Sequence, residues 1–514
     1  MIGLGSRVRR LAEHVSGRAA VLVLALASLG AGCRSIVPPD PARFETVAPQ
    51  LGQLLLVGFR GTEADAEADL QRLICEVRVG GLLLFGRNVV EVSQVAWLTG
   101  RAREIADDCG APPPLIAVDA EGGRVMRLRP EAGYASTLSA RELGASNDLA
   151  LAQLEGLRIG RMLADAGINW NLAPVVDVGY NPANPVIVGL GRSFGADPRH
   201  VVALAGAWIR GMHAAGILTA LKHFPGHGSS FADSHHGFVD VTDTAEPDVE
   251  LLPYRELIAE GLADSVMTAH VFNRRLDRRY PATLSPRTIG GLLRRQLGFG
   301  GLVVSDDLRM GAIEQRYGID RAAVLTVAAG VDVVLVADDR LPDGRSAAEV
   351  ALVAVREAVG TGRLTIDRVS EALARVRALK RRAESGAPLI PGSLVSDGGA
   401  PAPRRPAART TPDQPPSKLV TSARVGSEGW APRRVQASAA AALAKRSAAG
   451  SEARSPRASE ARSPRVTASA PLKVSPAAVV SRTDTSKPGT WKASRAARHR
   501  APSAPRVTIT APTP

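Results

Sequence analysis

The chain runs to 514 residues with a formal net charge of +14 and an isoelectric point near 10.4. Its basicity is confined to one end: Ser385–Pro514 carries 21 Lys and Arg against 6 Asp and Glu, a net of +15, which leaves residues 1–384 at −1. The body therefore lacks the basic field of a nucleic-acid binder, and no nucleic-acid partner is expected.

In chain order, Arg7, Arg9, Arg10 and Arg18 precede an apolar stretch, Ala19–Leu29, and small residues lead to Cys33. This pattern predicts an export signal, too short for a comfortable membrane span. Gly30, Ala31, Gly32 and Cys33 resemble a bacterial lipoprotein processing site, although Leu29 stands four residues before the Cys rather than the usual three. The expectation is an exported chain, acylated at Cys33 and anchored in the bacterial envelope; ordinary signal cleavage is the alternative. Residues 34–50, with Pro38, Pro39, Pro41 and Pro49, read as a linker, and the folded body is expected over 51–384.

Short apolar runs then alternate with amphipathic stretches. The expected strands are Leu54–Phe59, Gly81–Phe85, Leu115–Asp119, Asn169–Val178, Leu218–Phe224, Ser265–Val271, Leu302–Asp306 and Val331–Val336. Helical stretches lie between them, including Ala66–Val77, Ala150–Ala166, Pro198–Ala215 and Pro286–Leu297, and Ile366–Arg382 closes the series. Eight strand–helix repeats predict an α/β fold, a (β/α)8 TIM-type barrel. A doubly wound open sheet fits less well, because no G-x-G-x-x-G turn follows the first strand. Asp119, Asp177, His223, His270 and Asp306 all fall at carboxyl ends of expected strands, the face on which barrel enzymes carry their sites. Cys75 and Cys109 lie in helix-like stretches and read as buried free thiols, with a disulfide as the alternative. Beyond the last helix, Ala, Pro, Ser and Arg dominate and the octets SEARSPRA and SEARSPRV follow one another at Ser451–Val466, so residues 385–514 are expected to be a disordered tail. That tail would contact anionic envelope polymers or act as a spacer.

Three stretches carry the chemistry. Lys222–His236 reads KHFPGHGSSFADSHH and holds four of the nine histidines. Asp233 and His235 stand two apart, which in an extended stretch puts both on one face and lets the carboxylate orient an imidazole for proton transfer. Val118–Arg127 reads VDAEGGRVMR, in which Gly122 and Gly123 let backbone approach a ligand. Val303–Met310 reads VVSDDLRM. Adjacent strand residues face opposite ways, so Asp306 or Asp307 faces the mouth and the other is expected to cap a helix.

Together with PATLS at Pro281–Ser285, these stretches resemble the family 3 glycoside hydrolases, in particular bacterial β-N-acetylhexosaminidases that remove N-acetylglucosamine from peptidoglycan fragments; the resemblance covers Leu51–Arg382. It implies Asp306 as nucleophile, His235 as acid/base oriented by Asp233, and sugar contacts from Asp119, Arg127, Arg192, Lys222 and His223. No cofactor and no metal are implied, the substrate is a β-N-acetylglucosaminyl glycan or muropeptide, and a monomer is expected. The flanking glycines suggest that the His235 loop swings in when substrate binds. Departures from the family pattern are Ala120 where Gln is common, Ser229 and Ser230 where Asp-Thr is common, and two extra residues before Arg192. Rival readings are an inactive envelope-anchored sugar-binding lipoprotein, a family 3 phosphorylase, and a metal-dependent barrel hydrolase. The last is disfavoured because Pro225 and two glycines break a helical His223/His227 pair.

Overall fold

Apolar runs buried on both faces build the sheet, which is why they read as continuous rather than alternating. The computed structural model describes residues 40–385; the stretch read as an export signal, Cys33 and the basic tail lie outside the described residues. Eight parallel strands close into a barrel in sequential order: β1 (Leu55–Gly58), β2 (Gly81–Leu84), β3 (Leu115–Val118), β4 (Trp170–Asn171), β5 (Leu218–Phe224), β6 (Ser265–Thr268), β7 (Leu302–Asp307) and β8 (Val333–Val336), with β8 pairing β1. Leu56, Leu83, Ala117, Trp170, Met267 and Leu335 fill the interior, while Leu55, Val57, Leu82, Val118 and Val303 face the surrounding helices. Each such fully buried Leu, Val or Met contributes about 1.5–3 kcal/mol by leaving water.

The expected strand over Asn169–Val178 is shorter than its apolar content suggests. Only Trp170–Asn171 pair as a strand, and a lone bridge from Val175 to Lys222 follows. Pro174 has no N–H to donate, so the ladder is interrupted there. The freed segment carries Asp177 to a buried position beneath the mouth.

Two further expectations are corrected. The stretch read as a linker is helical from Pro41: α1 (Pro41–Val47) is capped by Asp40, whose side chain accepts from the Ala42 N–H at 3.0 Å, and Arg43 pairs with Asp367 of the last helix. Cys75 and Cys109 are not free thiols but a disulfide, with 5.9 Å between their Cα atoms. Cys75 sits in a π-helical turn (Arg72–Glu76) and Cys109 at the end of α2 (Val92–Asp108), and the packing of these two elements brings the sulfurs together.

The floor of the barrel is held by buried carboxylates. Asp332, fully buried, accepts from Arg294, Arg368 and Arg375 and from the Val303 N–H. Asp264 accepts from His213, Thr219 and Arg382. Arg368, Arg375 and Arg382 all belong to the last helix, α7 (Ile366–Glu384), and its Val376 and Leu379 plug the interior from below.

Candidate active site

All five polar residues expected at strand ends stand at the open mouth or directly beneath it. Asp119, His223 and Asp306 line a cavity of about 460 Å³, together with Glu121, Arg127, Arg192, Lys222, Asp233 and His235. Asp177 and His270 lie buried beneath. Every site residue read from the sequence within the described chain thus falls in one place.

One half of the cavity is a charge cage. Lys222 Nζ lies 2.8 Å from Asp119 Oδ1 and 2.7 Å from Glu121 Oε1. Arg192 forms a two-pronged pair with Glu121, Nε and one terminal nitrogen each at 2.8 Å, and Arg127 reaches Asp119 at 3.2 Å. Burial pushes the Asp119 and Glu121 carboxyls up, but the surrounding cations outweigh it; Asp119 is held well below the carboxylate range and Glu121 at about 2. Burial likewise disfavours the Lys222 ammonium, yet Asp119 and Glu121 hold it above its ordinary value. The cage presents fixed charges with oxygen and nitrogen atoms toward the cavity, suited to the hydroxyls of a sugar. Sequence reasoning gives Glu121 no role, although it stands two after Asp119, a spacing that places both on one face. The two extra residues before Arg192 do not displace it from this cage.

Lys222 and His223 both face the cavity although neighbours on an ideal strand point apart; the β5 register shifts against β6 between Leu221 and Phe224. Asp177 accepts from His223 Nδ1 at 2.7 Å and from the His227 backbone N–H at 2.7 Å. Arg192 can only donate, and it lies 3.3 Å from His223 Nε2, which places the ring proton on Nδ1. Both ring nitrogens are therefore engaged, one of them by a cation, so His223 offers no lone pair to a metal. Burial pushes His227 down to about 4, and its Nε2 lies 3.1 Å from the Ser234 hydroxyl, tying the end of β5 to the loop that follows.

That loop carries Asp233 and His235. His235 Nδ1 lies 2.6 Å from Asp233 Oδ1, which also accepts from the His235 N–H at 2.9 Å. The pairing is as expected but its cause differs: the segment is a turn closed by the aspartate, not an extended stretch. The Nε2 edge of His235 has no hydrogen-bond partner among the described residues, and the side chain is 56% exposed. Burial works against ionisation of Asp233, but hydrogen bonds from His235 hold its carboxyl below the usual range. The loop is docked on α5 (Gly311–Ala329): the N–H groups of Gly311 and Ala312 donate to the carbonyls of His235 and Ser234.

Asp306 faces this dyad from the end of β7. Its only side-chain hydrogen bond among the described residues comes from the Asp307 N–H at 2.8 Å, leaving one oxygen unengaged. Burial pushes the carboxyl up, but His270, His223 and His235 more than offset it, so Asp306 is ionised at neutral pH. Asp307 is not a helix cap: it accepts from the N–H groups of Arg309 and Ala337, bracing the turn after β7 against β8, and burial raises it to about 6. Its carbonyl lies 2.8 Å from His270 Nε2, while His270 Nδ1 lies 2.8 Å from the Thr283 hydroxyl of the PATLS stretch. His270 thus braces the Asp306–Asp307 turn from beneath.

An ionised, underbonded carboxylate opposite a carboxylate-oriented imidazole, both beside a cage for hydroxyls, is an arrangement for displacement at a sugar carbon. Comparison with known proteins agrees. Residues 46–379 match the glycosyl hydrolase family 3 N-terminal domain. The chain is 33% identical over 375 residues to beta-hexosaminidase A of Pseudoalteromonas piscicida, covering 66% of this chain and 61% of that one. It is 37% identical over 341 residues to beta-hexosaminidase LpqI of Mycobacterium tuberculosis, covering 64% and 82% respectively. A solved glycoside hydrolase family 3 beta-N-acetylglucosaminidase from Paenibacillus sp. str. FPU-7 superposes with a TM-score of 0.62 at 39% identity, covering 68% of this chain and 65% of that one. The matches span less than two thirds of the Pseudoalteromonas and Paenibacillus proteins. Motifs, barrel and cavity coincide over the matched residues, and the chain belongs to glycosyl hydrolase family 3.

Proposed function

We propose that the protein is a retaining β-N-acetylhexosaminidase that removes terminal β-linked N-acetylglucosamine, with peptidoglycan fragments as its natural substrates. The observation that carries this reading is that Asp306 and the Asp233–His235 pair line one cavity with the Asp119–Lys222–Glu121–Arg192 cage. In the first half-reaction the Asp306 carboxylate bonds to the anomeric carbon as the bond to the leaving oxygen breaks, and His235 Nε2–H gives its proton to that oxygen. In the second, water attacks the same carbon, His235 takes the water's proton, and the Asp306 carboxylate departs. Asp233 holds the imidazole in register and balances its charge. Asp119, Arg127, Arg192 and Lys222 grip the sugar, and His223 steadies Arg192 through its Nε2.

The decisive experiment is release of nitrophenol from the β-N-acetylglucosaminide and the β-glucoside by the chain from Arg34 onward, with Asp306→Ala and EDTA controls and with added phosphate. Selective release from the acetylated sugar that vanishes in Asp306→Ala and survives EDTA is expected. Silence on both sugars, with or without phosphate, points to a glycan-binding protein instead, and loss with EDTA points to a metal enzyme. Export and acylation at Cys33 place the reaction outside the inner membrane in this proposal; recovery of the chain from the cytosol with Met1–Gly32 intact would overturn that part alone.

A further inference from the structure

The face opposite the mouth holds a buried amine that forms no salt bridge among the described residues; the exposed Glu384 is the one carboxylate that acts on it, from a distance. Lys380 of α7 is 6% exposed, and its Nζ makes a single hydrogen bond, 2.7 Å to Gln53 Oε1. Gln53 is itself fixed, because its amide nitrogen donates to the carbonyls of Arg78 and Val79. Two of the three ammonium protons therefore have no partner among the described residues. Lys380 stands where two adjoining cavities meet, of about 460 and 440 Å³, which share Pro113, Lys380 and Glu384.

Three more cations, Arg78, Arg377 and Arg381, line the second cavity, and none of the four pairs with a carboxylate among the described residues. Arg377, Lys380 and Arg381 share one helix face, where like charges at this spacing destabilise the helix. The negative end of the helix offsets part of this for Arg381, but not the burial of Lys380. Glu384 is exposed and forms no salt bridge among the described residues. The basic tail beyond Ser385 has the wrong sign to serve as occupant.

We propose that the barrel floor is a binding site for a phosphate-bearing anion, with Lys380 at its base and Arg78, Arg377 and Arg381 around it. Oxygens spread tetrahedrally can meet several cations arranged about one point, whereas a planar carboxylate matches one guanidinium fork. Pro49, Pro112, Leu373 and Val376 give the same cavity apolar walls, suited to a phosphate that carries an apolar group. Burial pushes the Lys380 ammonium down to about 8, and a bound anion would raise it again. Helix α1 packs against α7 and delivers the N-terminal end of the described chain to this face; Cys33 lies seven residues before Asp40, a reach of at most about 25 Å. An acyl anchor there would turn the pocket toward anionic headgroups.

The test is titration calorimetry on the chain from Arg34 to Pro514 with inorganic phosphate and, separately, with dihexanoylphosphatidylglycerol below its micelle concentration. One saturable site is expected, weakened at least tenfold in Lys380→Met and in Arg377→Gln/Arg381→Gln, with glycosidase activity unchanged as the folding control. Tighter binding of the lipid than of phosphate would assign the site to a headgroup, and equal binding to a free phosphate ester. Identical isotherms for the parent and both variants, or no saturable heat from either probe, would overturn the proposal.

Discussion

The backbone N–H of Gly311 donates to the carbonyl of His235 at 3.1 Å, so the first turn of the helix after the Asp306 strand holds the loop that carries Asp233 and His235. A Cβ at Gly311 would stand 2.9 Å from the His236 carbonyl carbon and oxygen, backbone atoms that cannot yield without moving the loop. Gly311→Ala should therefore lower kcat by about ten- to a hundredfold, the scale of a displacement near 1 Å, while Tm stays within a few degrees. Steady-state kinetics beside a thermal melt would check it; unchanged kcat would mean that the loop is positioned from elsewhere.

Glu250 lies under the same region, accepting from the Tyr180 hydroxyl at 3.0 Å and the Ser229 N–H at 3.2 Å, with burial raising it to about 7. A carboxyl raised on folding stabilises the protein below its unfolded value and loses that contribution as pH climbs through the folded value. His227, lowered to about 4, acts in the opposite sense, because its contribution is present above about 6.5 and lost as pH falls toward 4. Glu250→Gln keeps both acceptor contacts without a charge. Its stability relative to the parent should rise between pH 5 and 8 by up to about 3 kcal/mol, read from urea midpoints across that range. Parallel pH curves for the two proteins would contradict the buried-acid account.

Asp233→Asn leaves His235 in reach of an amide oxygen but removes the charge that balances an imidazolium. The expected loss in kcat is about a hundredfold, with KM changed less, because in the proposed mechanism the pair acts on the reacting bond and not on the sugar. A mutant that loses only KM would relocate Asp233 to substrate binding.

Asp332→Ala should destabilise by about 3–5 kcal/mol, since three guanidinium groups would be left around a vacated buried site. The surviving folded fraction should keep its kcat, because this cluster sits at the floor. Loss of kcat in fully folded protein would show coupling to the mouth.

The Cys75–Cys109 bond closes a loop 34 residues apart in sequence, and Cys109→Ser should lower stability by about 3–4 kcal/mol on the loop-entropy account. Reductant should destabilise the parent to the same extent and leave the variant unaffected.

Much of this molecule is legible in its sequence. Runs such as LIAV and VVLV carry no alternation because both strand faces are buried, and their spacing alone gives the barrel. The polar residues that end those runs give the site, because a strand end at the mouth is the one place where Asp119 or Asp306 can reach solvent. Relations between distant segments are not legible: Arg192 meets Glu121 across 71 positions and His223 meets Asp177 across 46. The role of Asp307 is hidden for the same reason, its partner Ala337 lying on the far side of the next strand. The Cys75–Cys109 pairing depends on how a π-helical turn packs on α2, which apolar periodicity does not encode.

Both ends of the described barrel lie on its floor, where α1 packs against α7. Immobilising the enzyme through either end on a bead or a sensor surface should therefore leave the cleft pointing outward. A long polymeric glycan could then be presented to it without a spacer between protein and support.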